Sequence, residues 1–506
     1  MGWAPGAETD RLALAILAGF FVARLVFAFS LGLGIDESYT LAISRLLSLS
    51  YFDHPPLHQW IAHFTALAVG ENVVARAPFI ATFSATGWIY YRLTCGLFGP
   101  RAAVIGLFAL NVTPFFFASA GSWIVPDGPL LLALAIAALA AARLFFAKPP
   151  ENASAWSLWL LVGVGLGLAG LSKYSAVLSA GGLAAFVLIS PGQRRWLKHP
   201  APYVAAILAL AMVAPVILWN ARHGWASFEF QGARGAPGDK LRPAQVFTMA
   251  LGEVAFLSPW IFLPLVAALV VALRRSRDER RMFLLCLSLP PIVLFTMTPL
   301  WGGRGFPHWA MPGWFFTYAL MGAWLSESGV PVGALRRWAL LSSALLAAIA
   351  GVAVLQASTG WPLLALTAAS NLRDPTLEAY EWRDLRKARI FDEAQSFVIS
   401  TKWSDAGKIA LALGPGIPVL VLSNDPRGWA FADDSASYLG QSGVIVAPAA
   451  ELAFTLAAAR PYFAALGEPQ FCTLGRRGRA EIELALIPAR GLTRRLPMPY
   501  PGAPGR

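Results

Sequence analysis

Apolar stretches long enough to cross a bilayer recur along residues 1–357 of this 506-residue chain, and such a stretch has few conformations open to it. With no water in hydrocarbon to satisfy its peptide groups, it must close its own hydrogen bonds as a helix of roughly 20 residues. We count eleven, near 12–31, 74–91, 102–120, 128–147, 156–171, 174–190, 201–219, 246–273, 282–298, 308–326 and 338–357. Composition agrees: 57% of residues are hydrophobic and only 13% charged, which excludes an ordinary soluble chain. The first stretch is too long, and too poor in a small-residue cleavage site, for a removable signal peptide, so it is expected to stay as a helix. The expectation is a polytopic α-helical membrane protein.

Short cytoplasmic loops retain Lys and Arg. Arg92 and Arg101, Arg143 and Lys148, the 193–198 stretch, the Arg274 to Arg281 run and Arg336-Arg337 all follow even-numbered spans. The N-terminus is therefore expected in the cytoplasm and residues 358–506 outside. The formal charge of +12 is mostly this orientation signal, because residues 358–506 hold 16 basic and 14 acidic side chains. Nucleic acid is not an indicated partner, and the Arg274 to Arg281 run suits anionic lipid.

Cys95, Cys286 and Cys472 are single and widely spaced, so neither a disulfide framework nor a zinc-finger spacing exists. The sequons at Asn111 and Asn152 fall in a span and in a cytoplasmic loop, where neither would be glycosylated. Residues 358–506 change character: Pro418–Leu422 and Gly443–Ala447 are strand-like runs between helix-compatible charged stretches, which suits a small extracytoplasmic α/β domain. The stretch Leu377 to Phe391 reads as a solvated helix face. The Pro/Gly/Arg-rich end after about Leu492 reads as an unstructured tail.

The external loops are then 32–73, 121–127, 172–173, 220–245 and 299–307. Loop 32–73 carries apolar residues at helical spacing, Leu41, Ile43, Leu46 and Leu47, then Leu57, Trp60, Ile61 and Phe64, which fits two short interfacial helices. It also concentrates acids that are scarce elsewhere in the hydrophobic part: Asp36 and Glu37 just past the first span, and Asp53 beside His54 at the junction of the two helices. A group transfer at a membrane surface needs a carboxylate to deprotonate an acceptor hydroxyl, and cations to hold a departing phosphate. Asp36 suits the first role, and His54, Lys173 and Arg304 suit the second. Plainer roles stand beside these. Asp36 could cap the helix starting near Glu37, Asp127 in Pro126-Asp127-Gly128-Pro129 could cap another, His54 could be a turn residue, and Lys173 could snorkel from a helix end.

The motifs Asp36-Glu37, Tyr51 to Leu57 (Tyr-Phe-Asp-His-Pro-Pro-Leu), Pro126 to Leu130, Gly170 to Tyr174, Trp219 to Trp225 and Pro307 to Pro312 occur in this order over about residues 30–315. In this the chain resembles bacterial glycosyltransferase family 39 membrane proteins of the GT-C superfamily, which includes protein O-mannosyltransferases and the aminoarabinose transferase of lipid A. The resemblance implies a GT-C fold of about 11 transmembrane helices over 1–357. It also implies inverting transfer of a sugar from a polyprenyl-phosphate donor to an envelope acceptor, whether glycolipid, lipid A, polymer or protein. It makes Asp36 the leading base, with Glu37 beside it, and puts Asp53 where a divalent cation binds in the lipid A enzymes. His54 stands where those enzymes often have Lys, and Lys173 matches a basic residue near the donor phosphate. Asn220 replaces a possible metal-binding His, for which His223 could substitute, and His308 replaces an Asn. Asp127 and Arg304 complete the set expected to bind donor or acceptor. The rival reading is a transporter of lipid-linked or small polar substrates, which should show midplane ionisable groups and two related halves. Arg24 and Arg76 are the few charges in or beside early spans, and no internal repeat is evident.

Overall fold

The computed structural model describes residues 6–147, 152–236, 238, 240–361, 374–393, 395–477 and 479–503; Lys148, counted above among the orienting charges, lies outside them. The chain divides into two compact units, one holding Arg76–Ile217 and Glu229–Ala348 with the N-terminal helix up to Ala28, the other holding Phe29–Ala75, Leu218–Phe228 and Ile349–Arg506. A single cut at residue 357 was expected. The chain instead assigns the first external loop to the same unit as the C-terminal domain.

The first unit is helical. Every expected span falls on a helix or on a broken pair of helices, and six helices among the described residues are long and apolar enough to cross a membrane, or eight if each broken pair is one span. The pairs correct two expected straight spans. Pro100–Val112 and Phe115–Ser122 meet at 81° and Pro243–Leu257 and Pro259–Arg274 at 110°, each break falling beside a proline that cannot donate to the preceding turn. At the second break Ser258 takes a positive φ of 70°, which the helix cannot continue through. Small residues bring helices together: a Cβ on Gly322 would sit 2.2 Å from the Ala102 carbonyl oxygen, so the helices Pro100–Val112 and Met311–Glu327 touch backbone to backbone. The early charges are structural. Arg24 is fully buried among the rings of Phe20, Phe83 and Phe117 and donates to the Phe116 carbonyl, and buried Arg76 donates to the Ala28 carbonyl.

The second unit is built on a six-stranded sheet. Strands β1 (Val398–Ser400), β2 (Val419–Val421), β3 (Gly443–Pro448), β4 (Phe463–Leu466), β5 (Gln470–Arg476) and β6 (Arg479–Leu492) run in the order β2-β1-β3-β6-β4, with β5 also pairing β6. The three apolar strands β2, β1 and β3 are parallel, and β6 is antiparallel to β3, β4 and β5. Alternation sends Val398, Val419, Val421, Val444 and Val446 to one face and Ile399, Leu420 and Ile445 to the other, and both faces are covered. The helix Trp403–Leu413 lies on the first face and carries the loop helix Ile35–Ser44 with it, Tyr39, Ala42 and Ile43 joining that core. Gly407 permits the contact, since a Cβ there would meet the Tyr39 nitrogen at 2.6 Å.

Two local expectations differ. Leu377 to Phe391 is not one solvated helix but three short 3₁₀ turns, opened by Asp374 capping Thr376, with Trp382 and Leu385 in the core. The described part of the tail, up to Ala503, is also packed: Leu496 is buried and Tyr500 donates to Asp425. Two apolar anchors suffice where hydrophobic periodicity is absent.

Candidate active site

Six of the ten residues singled out in the sequence, Asp36, Glu37, Asp53, His54, Asn220 and His223, belong to the second unit; Asp127, Lys173, Arg304 and His308 belong to the first.

Helix Ile35–Ser44 begins after Gly34, and the acid that serves its N-terminus is Glu37: its Oε2 accepts the Gly34 N–H at 2.8 Å. Glu37 is buried and held by that cap, which removes it from the position of a second base. Asp36 is thereby freed of the capping role. It is exposed, yet protein crowds its carboxyl: loss of hydration, then the like charges of Asp53 and Glu378, push it up to about 6 from 3.8, with Arg427 opposing. An accessible carboxyl poised near neutrality is what a general base requires.

One turn further along the same helix, Tyr39 donates its hydroxyl to Asp53 Oδ2. Asp53 Oδ1 accepts from Arg427 Nη1 at 2.8 Å. The loop around Asp53 is clamped by rings, Phe52 lying 4.2 Å from Tyr500 and 5.3 Å from Phe431 between centroids, and Pro55-Pro56 lead into helix Leu57–Val69. His54 stands edge-on to His58, 5.7 Å away. Burial alone would lower the Arg427 guanidinium, but Asp53 and Asp425 more than reverse this and hold it charged. Asn220 is buried and its side-chain oxygen accepts the Ser227 N–H at 3.1 Å. His223 stacks on Trp219 at 4.1 Å with Nδ1 against the Trp219 carbonyl.

In the first unit, Lys173 Nζ meets Asp127 Oδ1 at 2.9 Å, and both side chains are buried. Asp127 is thus an ion-pair partner, while the helix Asp127–Phe146 has Pro126 in the cap position with no side-chain cap. His308 sits in the turn Pro307–Ala310 close enough to feel both charges. Its ring stacks on Phe306, 5.6 Å away between centroids. Arg304 is exposed, its backbone N–H donating to the Arg234 carbonyl. Arg234 rests on the rings of Phe230 and Trp309.

The family described as dolichyl-phosphate-mannose-protein mannosyltransferase matches residues 53–219. Among curated relatives, a lipid A galacturonosyltransferase of Rhizobium johnstonii is 24% identical over 347 residues, covering 64% of this chain and 67% of that protein. An undecaprenyl phosphate-α-4-amino-4-deoxy-L-arabinose arabinosyl transferase of Erwinia tasmaniensis is 25% identical, over 82% of this chain and 75% of its own length. The crystal structure of ArnT from Cupriavidus metallidurans bound to undecaprenyl phosphate superposes with a TM-score of 0.62 at 15% identity, covering 94% of this chain and 97% of that one. The chain has the GT-C fold, and the curated relatives it matches are glycosyltransferases. It is a multi-pass membrane protein with a small C-terminal sheet domain.

The divalent cation that the resemblance implies does not fit the residues assigned to it. Among the described residues no three His, Cys, Asp or Glu side chains gather as a metal site. Asp53 already faces a guanidinium and a phenol, and the His223 ring lies against Trp219 and Phe431.

Arg427, Tyr39 and Arg234 escaped the sequence reading. Tyr39 lay in the motif beside Asp36, where a spacing of three on a helix signals one face. Arg427 sits in a turn, Asn424-Asp425-Pro426-Arg427-Gly428, that nothing local ties to position 53.

Proposed function

We propose that this chain is a glycosyltransferase that transfers a sugar from a polyprenyl-phosphate carrier to lipid A at the outer face of the bacterial inner membrane, with the N-terminus cytoplasmic and the sheet domain outside. The names of the two curated relatives support a lipid A acceptor and a lipid-phosphate donor. The observation that carries the reading is Asp36, an exposed carboxyl with its affinity for protons raised to about 6 in the loop where the family motif begins.

The reaction is a single displacement. As the acceptor oxygen attacks the anomeric carbon, its proton passes to the Asp36 carboxylate. The bond from that carbon to the carrier phosphate breaks, and its electron pair leaves with the phosphate oxygen. No covalent sugar-enzyme intermediate forms. His54, in the same unit as Asp36, is the proposed hydrogen-bond partner of the departing phosphate, a contact that strengthens where bulk water is excluded. Asp127 orients Lys173, and Tyr39 with Glu37 fixes the helix from which Asp36 projects.

The test is Asp36→Asn. Mass analysis of lipid A from a deletion strain should show one sugar missing. The wild-type gene should restore it and Asp36→Asn should not, although the variant still binds undecaprenyl phosphate. Unchanged lipid A in the deletion strain would refute the acceptor.

A further inference from the structure

We infer that the guanidinium of Arg427, and not a divalent metal ion, neutralises and orients Asp53, so that sugar transfer by this chain requires no divalent cation. The inference rests on the proposed transfer reaction and names a positioning residue for it.

Arg427 is built into place from several sides. Nη1 meets Asp53 Oδ1 at 2.8 Å, Nε meets Asp425 Oδ2 at 3.2 Å, and the guanidinium carbon lies 4.5 Å from the centre of the Trp403 ring. Its backbone N–H donates to the Tyr500 hydroxyl at 3.3 Å, and the next N–H, of Gly428, donates to the Tyr39 hydroxyl at 2.9 Å. Tyr39 in turn donates to the other Asp53 oxygen, so that carboxylate is gripped on both oxygens by one short segment and one helix.

The backbone at Arg427 is left-handed, with φ at 53°. A side chain is unfavourable there, and such strain persists only where the surroundings over-determine it. Here it aims the guanidinium at a carboxylate that is 5% exposed, a charge that would be costly to bury alone. A metal ion at Asp53 would have to displace this cation, and among the described residues no two further His, Cys, Asp or Glu side chains gather with Asp53 to hold it.

The chemistry of the two solutions differs in one respect. A divalent ion exchanges with solvent and can be stripped by a chelator; a guanidinium on the chain cannot. Either offsets the charge of the Asp53 carboxylate and fixes its orientation in the loop.

The test adds the purified full-length chain to membranes of the deletion strain, which carry native donor and acceptor, and measures sugar addition to lipid A by mass spectrometry. With excess EDTA or phenanthroline the wild-type rate should stay within about two-fold, and Arg427→Ala should lose about 100-fold in kcat with a smaller change in KM. Arg427→Lys should recover part of that loss, and added Mg²⁺, Mn²⁺ or Zn²⁺ should recover none. Inactivation of the wild type by chelator with restoration by one of these ions would overturn the inference, as would wild-type kcat in Arg427→Ala. A second measurement needs neither a variant that folds nor turnover: titration of the purified wild-type chain with Zn²⁺, Mn²⁺ and Mg²⁺ should show no stoichiometric binding, and one equivalent bound with loss in Asp53→Asn would overturn it. Absence of transfer under every condition counts against the proposed reaction, and the titration then still decides the metal question.

Discussion

At the scale of single residues, protonation of Asp36 sets the acid limb of activity. A base that titrates at about 6 must be ionised to work, so kcat should fall as pH drops through 6, some two units above where an ordinary aspartate would impose the loss. Asp36→Asn should reduce kcat by about 10²–10⁴-fold, the usual worth of a positioned base. The same shift has a sign for stability. The fold favours the protonated form, so the stabilisation it confers is complete below about 3.8 and is lost as pH rises through about 6. Purified Asp36→Asn should therefore melt at or above the wild-type Tm at neutral pH and match it near pH 4; a lower Tm at neutral pH would contradict this reading. Lys173 and Asp127 make the complementary case. Removing one member of a buried pair strands the other charge, so Lys173→Met should destabilise by about 3–5 kcal/mol and Lys173→Met with Asp127→Asn by less, read from thermal melts in detergent.

Elements carry these residues to their places. Helix Ile35–Ser44 is seated on helix Trp403–Leu413 through Gly407, whose missing side chain lets the Tyr39 backbone approach. Gly407→Val should force the two apart, costing about 1–3 kcal/mol and lowering transfer activity while donor-independent expression of the chain persists. How much of this the sequence disclosed depends on how local each cause is. Helical segments are written in composition, so each of the eleven stretches falls on a helix or a broken pair, of which six to eight among the described residues are long and apolar enough to cross a membrane. The bends are not written there, because they depend on what a proline and a left-handed Ser258 do once neighbouring helices are packed. Strands β2 and β3 showed as apolar runs, being buried on both faces, whereas β5 and β6 form a long hairpin with polar alternation that resembles exposed loop. Asp36 and Asp53 stood out because acids are rare beside spans. Arg427 lies 374 residues from Asp53, and only the folded sheet domain brings them together.

On the scale of the whole molecule, the sheet domain is not an appendage to the loop that begins at Phe29. Residues 29–75 and 218–228 fold with it, and its own segment around Arg427 supplies the cation for the loop's carboxylate. In the proposed orientation this unit lies outside the cytoplasm, so an alkaline phosphatase fused after residue 503 should be active and a fluorescent protein fused there dark. The central claim is that an ionised Asp36 drives sugar transfer to lipid A, and the most direct measurement is the mass of lipid A from the deletion strain complemented in turn by the wild-type and Asp36→Asn genes at equal protein levels. The account predicts that wild type restores a species heavier by one sugar and that Asp36→Asn leaves the lighter species alone; the same heavier species from both genes would contradict it.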